Sequence, residues 1–437
     1  MRRFLLVTYY FPPSGGPGVQ RSLKLAKYLP ACGWEPAVIT VDPDHAAYPG
    51  TDASLEAEVP AEIEVVRTGS WDPYAAYARL MGKRREDAVG VSFVGTTPAN
   101  PKERLARWVR ANCFVPDARM GWVPFARRAA IRLARAGRFD AVVTSGPPHS
   151  THFVGRSVRR HCGIPWVADL RDPWTGIHHY DQFPATALAR ALDRRMEERV
   201  LREADRVVVV SPTMATQFAV SVPRTYDVIT NGFDPDDFRA AALPPAGDRF
   251  VIRHIGNLSR TQIPGTLWLA LRDLESEVGK LVRVELIGNV DGTAMEAAAR
   301  YGVQEQVKVL PYVDHGEAVR LMRTSHALLL VINDVPQAAS IVTGKIFEYV
   351  ASGRPVVGIV LEHGDAASIL RTARAGRMSA HDDVAAVAAQ VRGLVSDWRD
   401  GRALRGAPAE VAAAFGRDRQ AAQLARLLEG LPNAGRD

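Results

Sequence analysis

The chain is poor in cysteine and has no long apolar run. Cys32, Cys113 and Cys162 are the only three among 437 residues. An odd number without metal-ligand spacing excludes a disulfide framework and a zinc ribbon, and fits a reducing, cytoplasmic interior. No segment approaches the ~20 consecutive apolar residues of a membrane-spanning helix. The opening Met1-Arg-Arg-Phe-Leu-Leu-Val-Thr8 carries two arginines, but its apolar stretch breaks at Tyr9-Tyr-Phe-Pro-Pro13 and reads as a first strand, not as a secretion signal. What the chain does have is length and apolar content: 47% apolar residues, enough to fill the two or three cores that this length favours.

The formal net charge is +7 and is unevenly placed, with arginines and lysines crowded into Lys83 to Arg138 and again into Arg190 to Arg206. Between 102 and 138 the bases are interleaved with Trp108, Val109, Phe114, Trp122, Val123 and Phe125, a combination suited to peripheral contact with an anionic membrane surface at its inner face. A solvated basic face is the alternative. No nucleic-acid motif accompanies the charge, so a nucleic-acid partner is not expected.

Strand-like runs alternate with helical patterns at Phe4–Thr8, Pro36–Val41, Ile63–Val66, Ala141–Thr144, Pro165–Asp169, Arg206–Val210 and Tyr226–Thr230. That alternation predicts parallel sheets with helical crossovers. Turn residues from Asn231 and the Ala/Pro-rich Ala240–Gly247 mark a hinge, after which Phe250–Ile255, Val284–Ile287, Val307–Leu310, Ala327–Ile332 and Pro355–Val360 restart the pattern. The expected fold is α/β, with two Rossmann-like, doubly wound parallel-sheet domains over 1–235 and 248–409, facing across a cleft, and a helical tail over 410–437.

Five segments carry candidate chemistry. Pro12-Pro-Ser-Gly-Gly-Pro-Gly-Val-Gln-Arg-Ser22 follows the first strand and leads into a helical pattern. It lacks both the GxGxxG spacing and a closing Gly-Lys-Ser/Thr, so it is neither a dinucleotide fingerprint nor a P-loop. Gly15 and Gly16 let backbone approach a ligand at a helix N-terminus, unless they form only a turn. Thr144-Ser-Gly-Pro-Pro-His-Ser-Thr-His152 puts His149 on a loop at the sheet's carboxyl edge and His152 in the following helix. The pair lacks a third ligand, and no metal is expected.

Ile164-Pro-Trp-Val-Ala-Asp-Leu-Arg-Asp-Pro-Trp-Thr-Gly176 ends a strand at Asp169 and places Asp172 on the loop as a further candidate. There Arg171 is expected to pair with Asp169 or Asp172 to organise the loop, or to meet substrate directly. In the second half, Arg253-His-Ile-Gly-Asn-Leu-Ser-Arg260 ends a strand at Gly256 and carries Arg260, whose planar fork suits a phosphate.

The run Thr343-Gly-Lys-Ile-Phe-Glu-Tyr-Val-Ala-Ser-Gly-Arg-Pro-Val-Val-Gly358 is the most informative. Gly344 allows close backbone approach, and the amides after it open a helix whose free N–H groups suit a diphosphate. Glu348 stands about one turn in, where a carboxylate can accept two ribose hydroxyls. The alternative is an ordinary αβ unit with a surface glutamate.

Taken in order, the glycine loop at 12–18, Pro116-Asp-Ala-Arg-Met-Gly-Trp122, Ser145-Gly-Pro-Pro-His-Ser-Thr-His152, Ala168-Asp-Leu-Arg-Asp-Pro-Trp174, Thr230-Asn-Gly-Phe-Asp234 and Lys345-Ile-Phe-Glu-Tyr-Val-Ala-Ser-Gly-Arg-Pro355 resemble the family-4 retaining glycosyltransferases of the GT-B fold, in particular a bacterial group. The resemblance implies an NDP-sugar donor on the C-terminal domain, and an acceptor glycan, lipid or small molecule on the N-terminal one. It also implies a last helix returning to the first domain, and no obligatory cofactor or metal. Carried over, Glu348 would hold the ribose, the amides near Thr343–Lys345 and Arg260 the diphosphate, Gly15 and Gly16 would approach the donor phosphate, and His149 would lie near the transferred sugar.

Two positions depart from the pattern. Ser340 stands where many relatives have a glutamate that contacts the donor sugar, and Ile263-Pro264-Gly265 occupies the place of a basic residue beyond Arg260. A nucleotide-sugar epimerase, which would need acid and base carboxylates such as Asp169 and Asp172, and a non-catalytic nucleotide-sugar-binding or scaffolding subunit are the alternatives.

Overall fold

The computed structural model describes residues 1–71, 101–177, 180, 183–239, 247–274 and 276–432. The 83–100 part of the basic stretch and all but the last residue of the Ala240–Gly247 hinge lie outside them. The chain forms two compact units. One is Met1–Thr230 with the chain from Gln420, and the other is Asn231–Arg419.

The first unit is built on seven parallel strands: β1 (Arg2–Thr8), β2 (Trp34–Val41), β3 (Glu64–Thr68), β4 (Ala141–Gly146), β5 (Trp166–Leu170), β6 (Arg206–Val209) and β7 (Asp227–Val228), in the order β3-β2-β1-β4-β5-β6-β7. Buried on both faces, β1 reads as an unbroken apolar run, as central parallel strands do. Its alternate residues feed two cores. Leu5 and Val7 pack with Val142, Val154 and Trp166. Phe4 and Leu6 pack with Val19, Leu23 and Ala26 of the Pro17–Tyr28 helix and with Leu424 and Leu428 of the last helix, Arg417–Glu429.

The second unit has six parallel strands: β8 (Phe250–Ile255), β9 (Val282–Ile287), β10 (Val307–Leu310), β11 (Ala327–Val331), β12 (Val356–Ile359) and β13 (Gly376–Ser379), in the order β10-β9-β8-β11-β12-β13. Leu329 and Val331 face one core and Leu328 and Leu330 the other. The Lys345–Ala351 helix buries Ile346, Phe347, Tyr349 and Val350, which leaves Lys345 and Glu348, three apart, to share its other face. Among the described residues, no helix is long and apolar enough to cross a membrane.

Every strand expected from the sequence is present, shifted by up to two residues at its ends, and β13 is added at an edge. In both sheets the order of successive strands reverses near the centre, between β1 and β4 and between β8 and β11. At such a switch point the loops leaving two adjacent strands diverge and leave a crevice at the carboxyl edge.

Candidate active site

In the second unit the crevice lies where the loops after β8 and β11 leave the sheet. The two loops are joined. The Asn333 amide nitrogen donates to Thr261 Oγ1 at 2.6 Å, and the Asp334 amide to the Thr261 carbonyl at 3.4 Å. Gly256, at the end of β8, has φ +112°, a region that a side chain strains to adopt, and a Cβ there would stand 3.3 Å from Lys345 Nζ. The ammonium comes this close because it donates to the Asn257 carbonyl at 3.2 Å and to His254 Nε2 at 3.0 Å.

The His254 tautomer follows from its partners. Nδ1 lies 3.0 Å from the Leu329 carbonyl, which can only accept, and Nε2 lies 3.0 Å from the lysine ammonium, which can only donate, and 3.3 Å from the Asn257 carbonyl. The shorter contact on each side puts the proton on Nδ1 and the Nε2 lone pair towards the lysine. Burial, then the adjacent ammonium, pushes His254 down to about 3 and keeps it neutral. Burial also lowers Lys345 to about 8, against the pull of Glu348.

Glu348 is not a solvated surface glutamate. Burial raises its carboxyl above the ordinary value, assisted by Asp237 and opposed by the charges of His315, Arg417 and Lys345. His315 Nε2 is itself 2.9 Å from Asp237 Oδ2. The Glu348 oxygens have no hydrogen-bond partner among the described residues, so no hydrogen bond within the chain compensates its desolvation. The amides of Gly344 and Lys345, just before and at the helix start, likewise have no acceptor among the described residues, whereas those of Ile346 and Phe347 donate to Thr343 and Gly344 carbonyls.

Gly344 caps the helix start. Its φ of −58° is ordinary helical backbone and no left-handed turn demands glycine there; what distinguishes it is open space where a Cβ would sit. Thr343 Oγ1 is buried without a partner. Ser340 is buried and donates to the Gln337 carbonyl at 3.2 Å, a local turn bond. Arg260 is exposed in the turn Arg260–Gln262. After the Thr293 hydrogen bonds, its charge helps hold the Asp291 carboxyl below the usual range.

In the first unit the glycine loop follows β1 and the His149 loop follows β4, so the switch point brings them together. Arg171, just beyond β5, ties them; its hydrogen bonds go to backbone, while Asp172 and Asp169, the expected partners, act on it through charge. Its Nε donates to the Gly146 carbonyl at 3.1 Å, one terminal nitrogen to the Pro147 carbonyl at 2.6 Å, and the other to the Gly18 carbonyl. Asp169 is already taken. It accepts a two-pronged bond from buried Arg21 at 2.8 and 2.9 Å and the Ser145 hydroxyl at 2.8 Å, while Arg21 also donates to the Thr230 carbonyl. Asp172 is exposed beside Arg171. Of the glycine pair, the Gly15 amide donates to the Gly50 carbonyl at 2.8 Å, which leaves Gly16, exposed with φ 85°, as the open member.

His149 opens a short 3-10 turn, stacked on Trp174 with ring centroids 4.7 Å apart and an interplanar angle of 9°. Its Nδ1 is buried without a partner. Burial, then His152 and Arg171, depress its protonation well below the ordinary histidine value, so it is neutral at pH 7. Asp117 holds the turn by accepting the Ser150 amide and hydroxyl, both at 2.8 Å. Trp174 is held in turn by Asp193 Oδ1 at 2.7 Å, and Glu197 accepts the Thr175 amide and hydroxyl. Sequence reading missed the parts played by Asp117, Trp174, Asp193, Glu197 and His254. Of these, Asp117, Trp174 and His254 lay in stretches it had marked. His152 is fully buried, with Nδ1 bound to Thr144 Oγ1 at 2.8 Å. Among the described residues, no three His, Cys, Asp or Glu side chains converge as a metal site would require.

Two switch-point crevices, one with a lysine and a carboxylate that has no hydrogen-bond partner on a single helix face, are the arrangement of a two-domain α/β enzyme. Residues 15–232 match the glycosyl transferase 4-like domain and residues 249–397 the glycosyl transferases group 1 family. The chain belongs to the glycosyltransferases of the GT-B fold. Among solved structures it is similar to Anabaena HepE in complex with UDP and glucose (16% identity, TM-score 0.63, covering 99% of this chain and 100% of that one). It is also similar to the sucrose-phosphate synthase of Thermosynechococcus elongatus (17%, TM-score 0.62, 98% of each chain). A third is WaaG, a glycosyltransferase involved in lipopolysaccharide biosynthesis (14%, TM-score 0.55, 98% and 100%). At such identities the likeness is one of fold. A comparison with curated proteins gave no match.

Proposed function

We propose that the chain is a family-4, retaining transferase that moves a sugar from an NDP-sugar to a cell-envelope glycan, a lipid-linked sugar or a small-molecule acceptor. The second unit holds the donor and the first the acceptor. The observation that carries this reading is Glu348, a desolvated carboxylate with no partner of its own, one turn into a helix whose first amides are open. A ribose diol supplies the two hydroxyl donors that such a carboxylate lacks, and a diphosphate supplies the acceptor for the Gly344 and Lys345 amides.

As the glycosidic bond breaks, charge develops on the leaving diphosphate. Fixed amide dipoles and Arg260 then stabilise the transition state more than the ground state. The leaving phosphate takes the acceptor's proton. His149, neutral with an open Nδ1, sits near the transferred sugar as a hydrogen-bond acceptor. Asp169, locked by Arg21 and Ser145, is a poor acid or base, which weighs against the epimerase alternative. Ser340, bound within its own turn, leaves the sugar contact to another group.

Incubation of the purified chain with UDP-, GDP- and dTDP-sugars tests the reading. NDP release or transfer to an acceptor is expected, while an epimerised donor, or tight NDP binding without turnover, would refute it.

The acceptor side carries a peripheral membrane contact in the same proposal. Leu105, Trp108 and Phe125 are exposed, and Arg127, Arg128, Arg132 and Arg135 line an open depression with His161. Sedimentation with anionic liposomes at low salt checks it, and a chain that stays in the supernatant counts against it.

A further inference from the structure

The donor site lacks a second base on the loop beyond Arg260, where Ile263-Pro264-Gly265 stands, yet the structure brings an ammonium to that loop from elsewhere. Lys345 reaches from the first turn of its helix to the end of β8. There it spends two of its three N–H donors on the Asn257 carbonyl and on His254 Nε2. Both partners are fixed. Asn257 follows the left-handed Gly256, and His254 is anchored by its Nδ1–H on the Leu329 carbonyl of the adjacent strand. A lysine is otherwise a flexible point charge that loses considerable rotamer freedom when it grips an anion. Here that ordering has already occurred, and the third N–H has no acceptor among the described residues.

We propose that the Lys345 side chain is the second cation for the donor's leaving diphosphate, and that His254 is its positioning residue, acting as a neutral acceptor within the sheet. The assignment rests on the donor-site reading given above. It gives a role to a buried histidine in the middle of an apolar strand, where a hydrophobic residue would pack without needing partners for two ring nitrogens. It also explains why β8 ends in a glycine: any side chain at 256 would push against Lys345 Nζ.

Calorimetric titration of the full chain with UDP, GDP and dTDP tests both parts, using whichever of these the wild type binds. Lys345→Met is expected to weaken that nucleotide about 10- to 100-fold, the range for loss of a charge-assisted contact. Lys345→Gln, which keeps a donor for the Asn257 carbonyl, is the second variant should the first fail to fold, and the same loss is expected. His254→Asn keeps a donor towards Leu329 but removes the acceptor for the lysine, and is expected to weaken binding several-fold. His254→Gln restores an acceptor at the reach of Nε2 and is expected to recover most of the affinity, although both histidine variants lose some melting temperature.

Unchanged affinity in the Lys345 variants, with affinity lost in Glu348→Ala, would overturn this role and leave the donor site standing. Equal weakness of His254→Asn and His254→Gln would reduce His254 to a packing residue. Failure of the wild type to bind any of the three nucleotides would overturn the donor-site reading itself.

Discussion

Replacing Glu348 by Gln keeps the shape of the side chain and removes its charge, and the structure gives the consequences for binding and for folding opposite signs. In the proposed complex both oxygens accept from ribose hydroxyls, each a charge-assisted bond worth about 1.5–3 kcal/mol. The amide retains one neutral acceptor, worth about 1 kcal/mol. The loss is therefore about 2 kcal/mol or more, or roughly 30-fold in nucleotide affinity. Folding behaves differently, because the free chain gives the carboxylate no hydrogen bond, and burial, assisted by Asp237, raises its protonation above the ordinary 4.5.

For an acid whose folded value is raised, the folded state binds the extra proton. Stability therefore falls as pH climbs from about 4.5 through the raised value and stays reduced above it. Gln carries no such cost. Calorimetry with the bound nucleotide and thermal melts at pH 7 should thus show affinity falling while the melting temperature holds or rises. Retained affinity would refute the ribose role. Lost affinity accompanied by an equally large fall in melting temperature would refute the claim that the carboxylate is uncompensated in the free chain.

Further outcomes follow from the buried groups. His152 and His254 are each held near 3 and His149 well below 6.5, so the folded state resists protonation that the unfolded chain accepts. Stability contributed by these neutral rings is complete above pH 6.5 and is lost as pH falls, by up to ~1.4 kcal/mol per pH unit for each ring. Denaturant titrations at pH 7, 6 and 5 should show it, and His152→Phe should flatten the slope. Arg171→Met removes three hydrogen bonds that tie the loops near the crevice and should cost about 3 kcal/mol or more, read as a large drop in melting temperature; a loss under about 1 kcal/mol would argue against the strap. Gly256→Ala should cost about 1–2 kcal/mol for the left-handed backbone and weaken nucleotide binding through Lys345, checked by melts and calorimetry together. Asp172→Asn, exposed as that residue is, should leave stability within about 0.5 kcal/mol, so any loss of turnover would report on chemistry alone.

Much of the fold was legible because central parallel strands such as Phe4–Thr8 and Ala327–Val331 are continuous apolar runs set between helical patterns. The strand that was missed, Gly376–Ser379, lies at an edge and carries Gly-Arg-Met-Ser, with no apolar run to betray it. In the candidate site, Glu348 could be placed from the sequence one turn into a helix opening at Gly344, whereas Lys345 was read only for its amide and its side-chain contacts across the sheet gave no local signal. Arg171 was misread for a different reason. Its nearest carboxylates in sequence are Asp169 and Asp172, whereas its hydrogen bonds run to backbone on two distant loops, and Asp169 belongs to Arg21, 148 residues away. His254 gave no signal because a histidine inside an apolar strand looks like tolerated core until its two ring partners are seen. Local pattern reveals which face is buried, but not which polar group meets which across a sheet.

Arg171 binds its loops through carbonyls, and a carbonyl is the same in every residue. The glycine loop and the loop ahead of His149 are thus held by contacts blind to side-chain identity but sensitive to backbone length. These loops should accept many substitutions and reject single-residue insertions or deletions between β1 and Gly18 or between β4 and Pro147. Under the proposed acceptor role of the first unit, specificity for different acceptors could then be altered by exchanging loop side chains while the frame that presents them keeps its register.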